Sequence, residues 1–589
     1  MRDGEKGLGF IPVLIILFLP LTVAGAGAAA VYVLRGKAHP PEQTAKFLPP
    51  DTQIYVSLNL HPGSGQLEKA QELWERFSQH PGFQLKIDEW MDDIESETGF
   101  GFKQDVAPWL GPEIGVGVID VVGSIVASEM GGVPIMIALI ETTDPVRAKG
   151  FLEGWIGFLE DGGNDYQTEI YKGATVFRDD SAFVYFAVAG DYLIIASDSD
   201  LLEETIDRIQ SGGNGESLYS NPKFQKVREG LPEERFLTSY VDAKAIWIDS
   251  KRQFGKQIPE AVRRQVDASG LDWIALTGSL LEMGVQVEVT SPVKTAAGTP
   301  PPSSTGWSSA DLVPADSLAF GAFKISTNLD LLRERPAVQS VADLDPDVQS
   351  ILTFMVDPSI DEQHSLSDVF DILLDRFEEI AGFDVERDLL DWMAGEFAFV
   401  LLPSDFKGAS EQPPAAAVNA GMLVRFDKGQ RKSVEKVLDT ISGLLEDQLG
   451  ISGAPAVHGA GIGVVYGASH ILGNDVYRPG YLILDGQLII ATDTGVFHEI
   501  ALVDANERPS LADDPEYSRI ASRFSGVPEV LLYLNISEIE KAAVEAMDPD
   551  DLSQYRTEVE PFGGSLRAAF LSGMIDKDVR RVSLVVTAE

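Results

Sequence analysis

No cysteine occurs among the 589 residues. Disulfides, thiolate metal sites and cysteine nucleophiles are excluded together. Such a chain suits any compartment, and an exported protein escapes stray thiol chemistry this way. Basic side chains are scarce as well: 46 Lys and Arg stand against 91 Asp and Glu, a formal net charge of -45. Nucleic-acid binding needs clustered cations to neutralise phosphates, so it is excluded as a bulk activity. Histidine is thin, with only His39, His61, His80, His364, His458, His470 and His498. None forms the two-His helical pair of a zinc protease, because His498-Glu499 is followed by leucine at 502.

What is present is an acidic, well-solvated chain with the 44% hydrophobic content of a globular protein. Its length leaves room for two to four domains. Residues 1–8 form a short tail. Gly9 to Leu34 carries no charge and is long enough to cross a hydrocarbon core of roughly 30 Å. Arg2 and Lys6 precede it and Arg35 and Lys37 follow, so the charge rule for orientation is nearly balanced. A short tail before a large acidic body favours a single-pass anchor in the cell membrane, with the bulk outside the cytoplasm. A cleaved signal segment, apolar from Ile11 to Val23 with small residues at Ala24 to Ala30, would give the same outside location.

The remainder reads as one unit written twice. Pro49-Pro50-Asp51-Thr52 returns as Pro314-Ala315-Asp316-Ser317. Gly99-Phe100, Asp105, Trp109 and Glu113 return as Gly382-Phe383, Asp388, Trp392 and Glu396, all 283 positions later. Leu193 to Asp198 returns as Leu488 to Asp493. Ile87, Trp90, Met91 and Ile94 form a helical stripe whose counterparts are Phe370, Leu373, Leu374 and Phe377. Ile54, Val56, Leu58 and Leu60 alternate with polar neighbours and predict a strand with one buried face. Gly190-Asp191 and Asp485-Gly486 read as hairpin turns. Paired apolar runs close each copy: Trp273 to Leu281 with Val285 to Val289, and Leu566 to Met574 with Val579 to Val586. The expected fold class is α+β: a tandem duplication of an antiparallel-sheet-plus-helices domain, preceded by one N-terminal transmembrane helix. The boundaries are a linker at 35–46, repeat 1 at 47–292, a Pro/Ser/Gly linker at 293–307 and repeat 2 at 308–589. Pro403 to Ala417 reads as a loop insertion without a counterpart in the first copy.

An N-terminal apolar segment followed by FLPPDTQIYVSLNL, with the doubled Gly-Phe…Asp…Trp block and the LIIA strand, resembles the bacterial domain of unknown function 3352 family. The resemblance covers roughly residues 47 to 589 and implies an architecture. It brings no catalytic residues with it.

Candidate chemistry is sparse. Ser220-Asn221-Pro222-Lys223 has the Ser-x-x-Lys spacing of penicillin-recognising enzymes without their companion motifs. Gly459, Gly461 and Gly463 resemble a phosphate loop but lack its Lys-Ser/Thr, so a glycine-rich turn is expected. The acidic clusters Asp198-Ser199-Asp200, Asp343 to Asp347 and Asp548 to Asp551 lack the calcium-loop pattern and read as turns and caps, with weak divalent cation binding as the alternative. Trp109 and Trp392 are expected in the core with satisfied indole N–H groups, or else as stacking platforms for a ligand. No catalytic, cofactor-binding or metal-ligating set is expected. The reading is a non-enzymatic envelope module whose partner is an envelope protein or an apolar ligand. The alternatives are a hydrolase or transferase assembled from distant residues, or a carrier with an enclosed pocket.

Overall fold

In a computed structural model, the structure describes residues 41–293 and 307–588, apart from 60, 62–64, 130–133, 180–182, 325–367, most of 370–394, 404–417, 467–477, 525–527 and 577. Residues 9–34 and the stripe Phe370, Leu373, Leu374 and Phe377 therefore lie outside the described residues. Among those described, no helix is long and apolar enough to cross a membrane.

The chain is α+β, and among the described residues its strands form one continuous sheet of twenty, each pair antiparallel. The first half contributes β1 (Ile54–Asn59), β2 (Leu110–Asp120), β3 (Ile135–Thr142), β4 (Gln167–Tyr171), β5 (Ala174–Asp179), β6 (Val184–Ala189), β7 (Tyr192–Ala196), β8 (Leu237–Val241), β9 (Ile274–Leu281) and β10 (Gly284–Pro292). The second contributes β11 (Ala319–Lys324), β12 (Glu396–Pro403), β13 (Val418–Arg425), β14 (Gly453–His458), β15 (Gly461–Tyr466), β16 (Gly480–Leu484), β17 (Gln487–Ala491), β18 (Val530–Asn535), β19 (Leu566–Asp576) and β20 (Val579–Ala588). Pairing places the first half in the order β4, β5, β6, β7, β3, β2, β1, β8, β9, β10. The second half follows the same order with every number raised by ten. The halves meet where β10 pairs β20, Gly284 opposite Thr587 through Pro292 opposite Val579. At that seam Glu288 is almost buried, and it is held by Arg581 at 2.8 Å and Ser583 at 3.2 Å.

In the first half both faces of the inner strands are covered, and this explains their unbroken apolar runs. Ile137 and Leu139 point into one core with Tyr55, Ile194 and Phe224, while Ala138 and Ile140 enter the opposite core with Trp109, Leu152 and Ile195. Successive strand side chains face opposite ways, so a strand buried on both sides cannot alternate apolar with polar. The expected single buried face of β1 is corrected on the same ground. Tyr55, Ser57 and Asn59 are buried together with Leu58, whereas Ile54 and Val56 are half-buried. β1 lies between β2 and β8, and the Tyr55 hydroxyl meets Thr44 Oγ1 at 2.8 Å.

Two boundaries also move. Glu42, Thr44 and Ala45 are fully buried, so residues placed in the 35–46 linker on composition already pack against the first half. Trp307 at the end of the second linker is likewise buried. The segment beginning at Pro403 does have a counterpart. It joins β12 to β13 where the helix Val121–Glu129 joins the matching β2 to β3, across the same number of residues.

Candidate functional site

The opening segment of each half rests on a buried glutamate. Glu113 accepts from Thr44 N at 2.8 Å, Thr44 Oγ1 at 2.7 Å and Gln43 N at 3.0 Å. At the matching place Glu396 accepts from Ser309 N at 2.7 Å, Ser308 N at 3.0 Å and Ser308 Oγ at 2.9 Å. Both carboxylates thus cap a single 3₁₀ turn, Thr44–Lys46 or Ser308–Asp311. The doubled Glu was visible in the sequence at the 283 offset. The repeats thus share one polar constellation, and its hydrogen bonds are structural.

The turn sits hard against the sheet. A Cβ added at Gly115 would lie 2.1 Å from Thr44 Oγ1. The matching pair is Ala398 with Ser309, one methyl moved from the turn to the strand. Gly115→Ala is therefore expected to destabilise by about 1–3 kcal/mol, the usual range for overpacking. Adding Thr44→Ser should recover part of that loss. Thermal unfolding of the two variants checks both statements, and a Gly115→Ala protein as stable as the parent would contradict the close approach.

Beside this shared cap the halves diverge. In the first, Glu42 is fully buried at a left-handed φ of 62°, and its carboxylate accepts from Arg235 Nε at 2.9 Å, Thr238 Oγ1 at 2.8 Å and Arg228 Nε at 3.1 Å. The Arg228 guanidinium stacks 4.0 Å above the Tyr219 ring. These side chains fill the space between the opening turn, the segment at 219–235 and β8. In the second half the matching positions are Trp307 for Glu42, Ala512 for Tyr219, Ala521 for Arg228 and Pro528 for Arg235. The capping turns Ser217…Ser220 and Ser510…Asp513 and the pairs β1–β8 and β11–β18 fix this correspondence. Phe570 in place of Ala275 adds back one ring. A cavity of about 540 Å³ remains, walled by Trp307, Tyr517, Phe524, Leu531 and Phe570.

Its mouth is charged. Asp311 and Arg425 line it, both exposed, where the first half has Lys46 and Glu141. The Asp311 carboxyl is pushed above its ordinary value by partial desolvation at the cavity's edge, then by Asp513 and Glu396, with Arg425 opposing. Deeper in, the Trp307 indole N–H is buried without a hydrogen-bond partner among the described residues. Lys324 Nζ lies 5.4 Å from the Trp307 ring centre.

The residues singled out from sequence resolve as follows. Ser220 Oγ accepts from Ser217 N at 2.9 Å, Asn221 caps the helix Pro222–Glu229, and Lys223 Nζ is held by Asp242 at 2.8 Å and Asp272 at 3.3 Å. The Ser-x-x-Lys spacing is thus two consecutive caps. Gly459 turns the β14–β15 hairpin at a φ of 58°, and a Cβ at Gly463 would meet the Tyr481 carbonyl of β16 at 1.9 Å. Asp198 and Asp548 are helix N-caps, while Asp343 to Asp347 lie outside the described residues. Trp109 is buried and donates its indole N–H to Asp105 O at 2.6 Å, and Trp392 is buried beside Phe426 and Val434. Burial, followed by the charge of His498, lowers the His458 imidazole below its ordinary value. No group of three or more potential ligands forms a metal site among the described residues.

The family model described as Protein of unknown function (DUF3352) matches residues 14–456. That span starts inside the apolar N-terminal segment and ends within β14, earlier at both ends than the span expected from the motifs. No curated protein matches. Crystal forms III and I of TP0453 superpose with TM-scores of 0.23 and 0.24 at 10% identity, covering 45% of this chain and 83% and 82% of that one. At those scores the likeness carries no argument.

Proposed function

Because the chain belongs to that family of proteins of unknown function, we propose from its own geometry that it is a non-enzymatic binding module of the cell envelope. It consists of two copies of one α+β unit, the first a filled scaffold and the second the bearer of a ligand site. One observation carries the reading: the side chains that plug the first unit become Trp307, Ala512, Ala521 and Pro528, and a cavity of about 540 Å³ opens in the second. That volume falls within the roughly 300–1,000 Å³ of small-molecule sites. The polar group kept in both units supports binding over catalysis, since Glu113 and Glu396 are saturated by backbone and hydroxyl donors. The uncharged run from Gly9 to Leu34 supports a tether, and the short tail before it and the large acidic body after it support a place outside the cytoplasm.

The test is titration of the full chain with an uncharged apolar fluorophore such as N-phenyl-1-naphthylamine. A saturable one-site component is expected, lost when Ala512→Tyr restores the first unit's plug. An esterase, peptidase and glycosidase screen on the same protein should show no turnover. Turnover abolished by one substitution, or dye binding indifferent to Ala512→Tyr, would sink the proposal.

A further inference from the structure

Resting on that reading, the cavity's two ends define its ligand. The deep wall is aromatic and aliphatic, with Trp307, Tyr517, Phe524, Leu531 and Phe570, so it accepts an apolar body. The mouth holds one carboxylate and one guanidinium, Asp311 and Arg425. Both line the same mouth, yet among the described residues the Arg425 guanidinium makes neither a hydrogen bond nor an ion pair. An anionic head would leave Asp311, with Asp513 and Glu396 behind it, facing a like charge. A cationic head would do the same to Arg425. A head carrying both charges meets both. Between mouth and wall, the unpartnered Trp307 N–H calls for an acceptor such as an ester carbonyl in the ligand's neck.

We propose that the second unit binds one molecule of a single-chain amphiphile with a zwitterionic head, of the lysophospholipid class. Burial of the chain supplies most of the affinity. The exposed charge pair sets head preference, a modest effect because both groups are solvated.

The experiment uses the full chain in its membrane and a lysophosphatidylcholine bearing a diazirine in the acyl chain. After photolysis, label is expected on peptides containing Trp307, Tyr517 or Phe524. Ala512→Tyr should reduce that label about tenfold. Unlabelled lysophosphatidylcholine should compete several-fold better than lysophosphatidylglycerol or an alkyltrimethylammonium of equal chain length. Arg425→Glu, which installs the first unit's residue at the mouth, should reverse the preference towards the cationic competitor. This variant changes only an exposed side chain and keeps the proposal testable if Ala512→Tyr fails to fold. Label spread evenly over the chain, or equal competition by all three heads, would overturn the assignment. If the fluorophore site responds to Ala512→Tyr while the lipid probe labels nothing there, the ligand class is wrong and the binding module stands.

Discussion

Arg235→Ala is expected to lower the folding stability of the chain by about 3–5 kcal/mol, the cost of stranding a buried charge. Glu42 is fully buried, and Arg235 supplies two of its donors, Nε at 2.9 Å and Nη2 at 3.0 Å. Without them the carboxylate keeps Thr238 and Arg228, so the lower end of that range is the better expectation. The Arg235 guanidinium also donates to the Pro232 carbonyl, which would lose its partner. The variant should show a lower midpoint in urea with an unchanged slope, because the surface exposed on unfolding is the same. Replacing the whole set, Glu42→Leu with Arg228→Met and Arg235→Met, should restore most of the loss, since apolar side chains of similar size often replace buried ion pairs at no cost. The protein already contains that experiment: the matching positions are Trp307 and Pro528, and the second half folds around them. A double-mutant cycle gives the coupling directly. A loss below about 1 kcal/mol for Arg235→Ala would mean that Arg228 and Thr238 suffice for Glu42.

How much of this was legible follows from what repeats. The hairpins were readable because turns and apolar runs are local: Gly190-Asp191 and Asp485-Gly486 join β6 to β7 and β16 to β17 as their spacing requires. The β10–β20 seam was not readable, because two strands nearly 300 residues apart carry no local signal of pairing. β1 misled for a different reason. Tyr, Ser and Asn usually face water, but Tyr55, Ser57 and Asn59 are buried where a polar cap crosses the sheet. The cavity was least legible of all. Its wall is defined by substitutions between halves, Tyr219 to Ala512 and Arg228 to Ala521, and these are visible only after pairing register fixes which residue matches which. Shared motifs pointed to the framework, whereas the candidate site lies where the motifs differ.

The two capping glutamates provide the second large effect, and one that separates scaffold from site. Glu113→Gln and Glu396→Gln should each cost about 1.5–3 kcal/mol, the worth of hydrogen bonds to a charged group. A glutamine keeps one oxygen and turns the other acceptor into a donor. In the first unit that donor would face Gln43 N, now 3.0 Å from Glu113 Oε2. In the second it would face Ser308 N and Oγ, at 3.0 and 2.9 Å. Either way a backbone N–H at the start of the turn is left facing another N–H. The structural penalty is similar, but the consequences for binding should not be. Ser308, with Trp307 before it, belongs to the cavity wall, whereas Gln43 and Thr44 lie in the filled half. Hydrogen exchange should accelerate at residues 307–312 in Glu396→Gln and at residues 42–47 in Glu113→Gln. Fluorophore affinity should fall only in Glu396→Gln, because only there does the loosened turn carry the ring that lines the cavity. Equal loss of affinity in both variants would show that binding tracks global stability and would remove the distinction drawn between the two units.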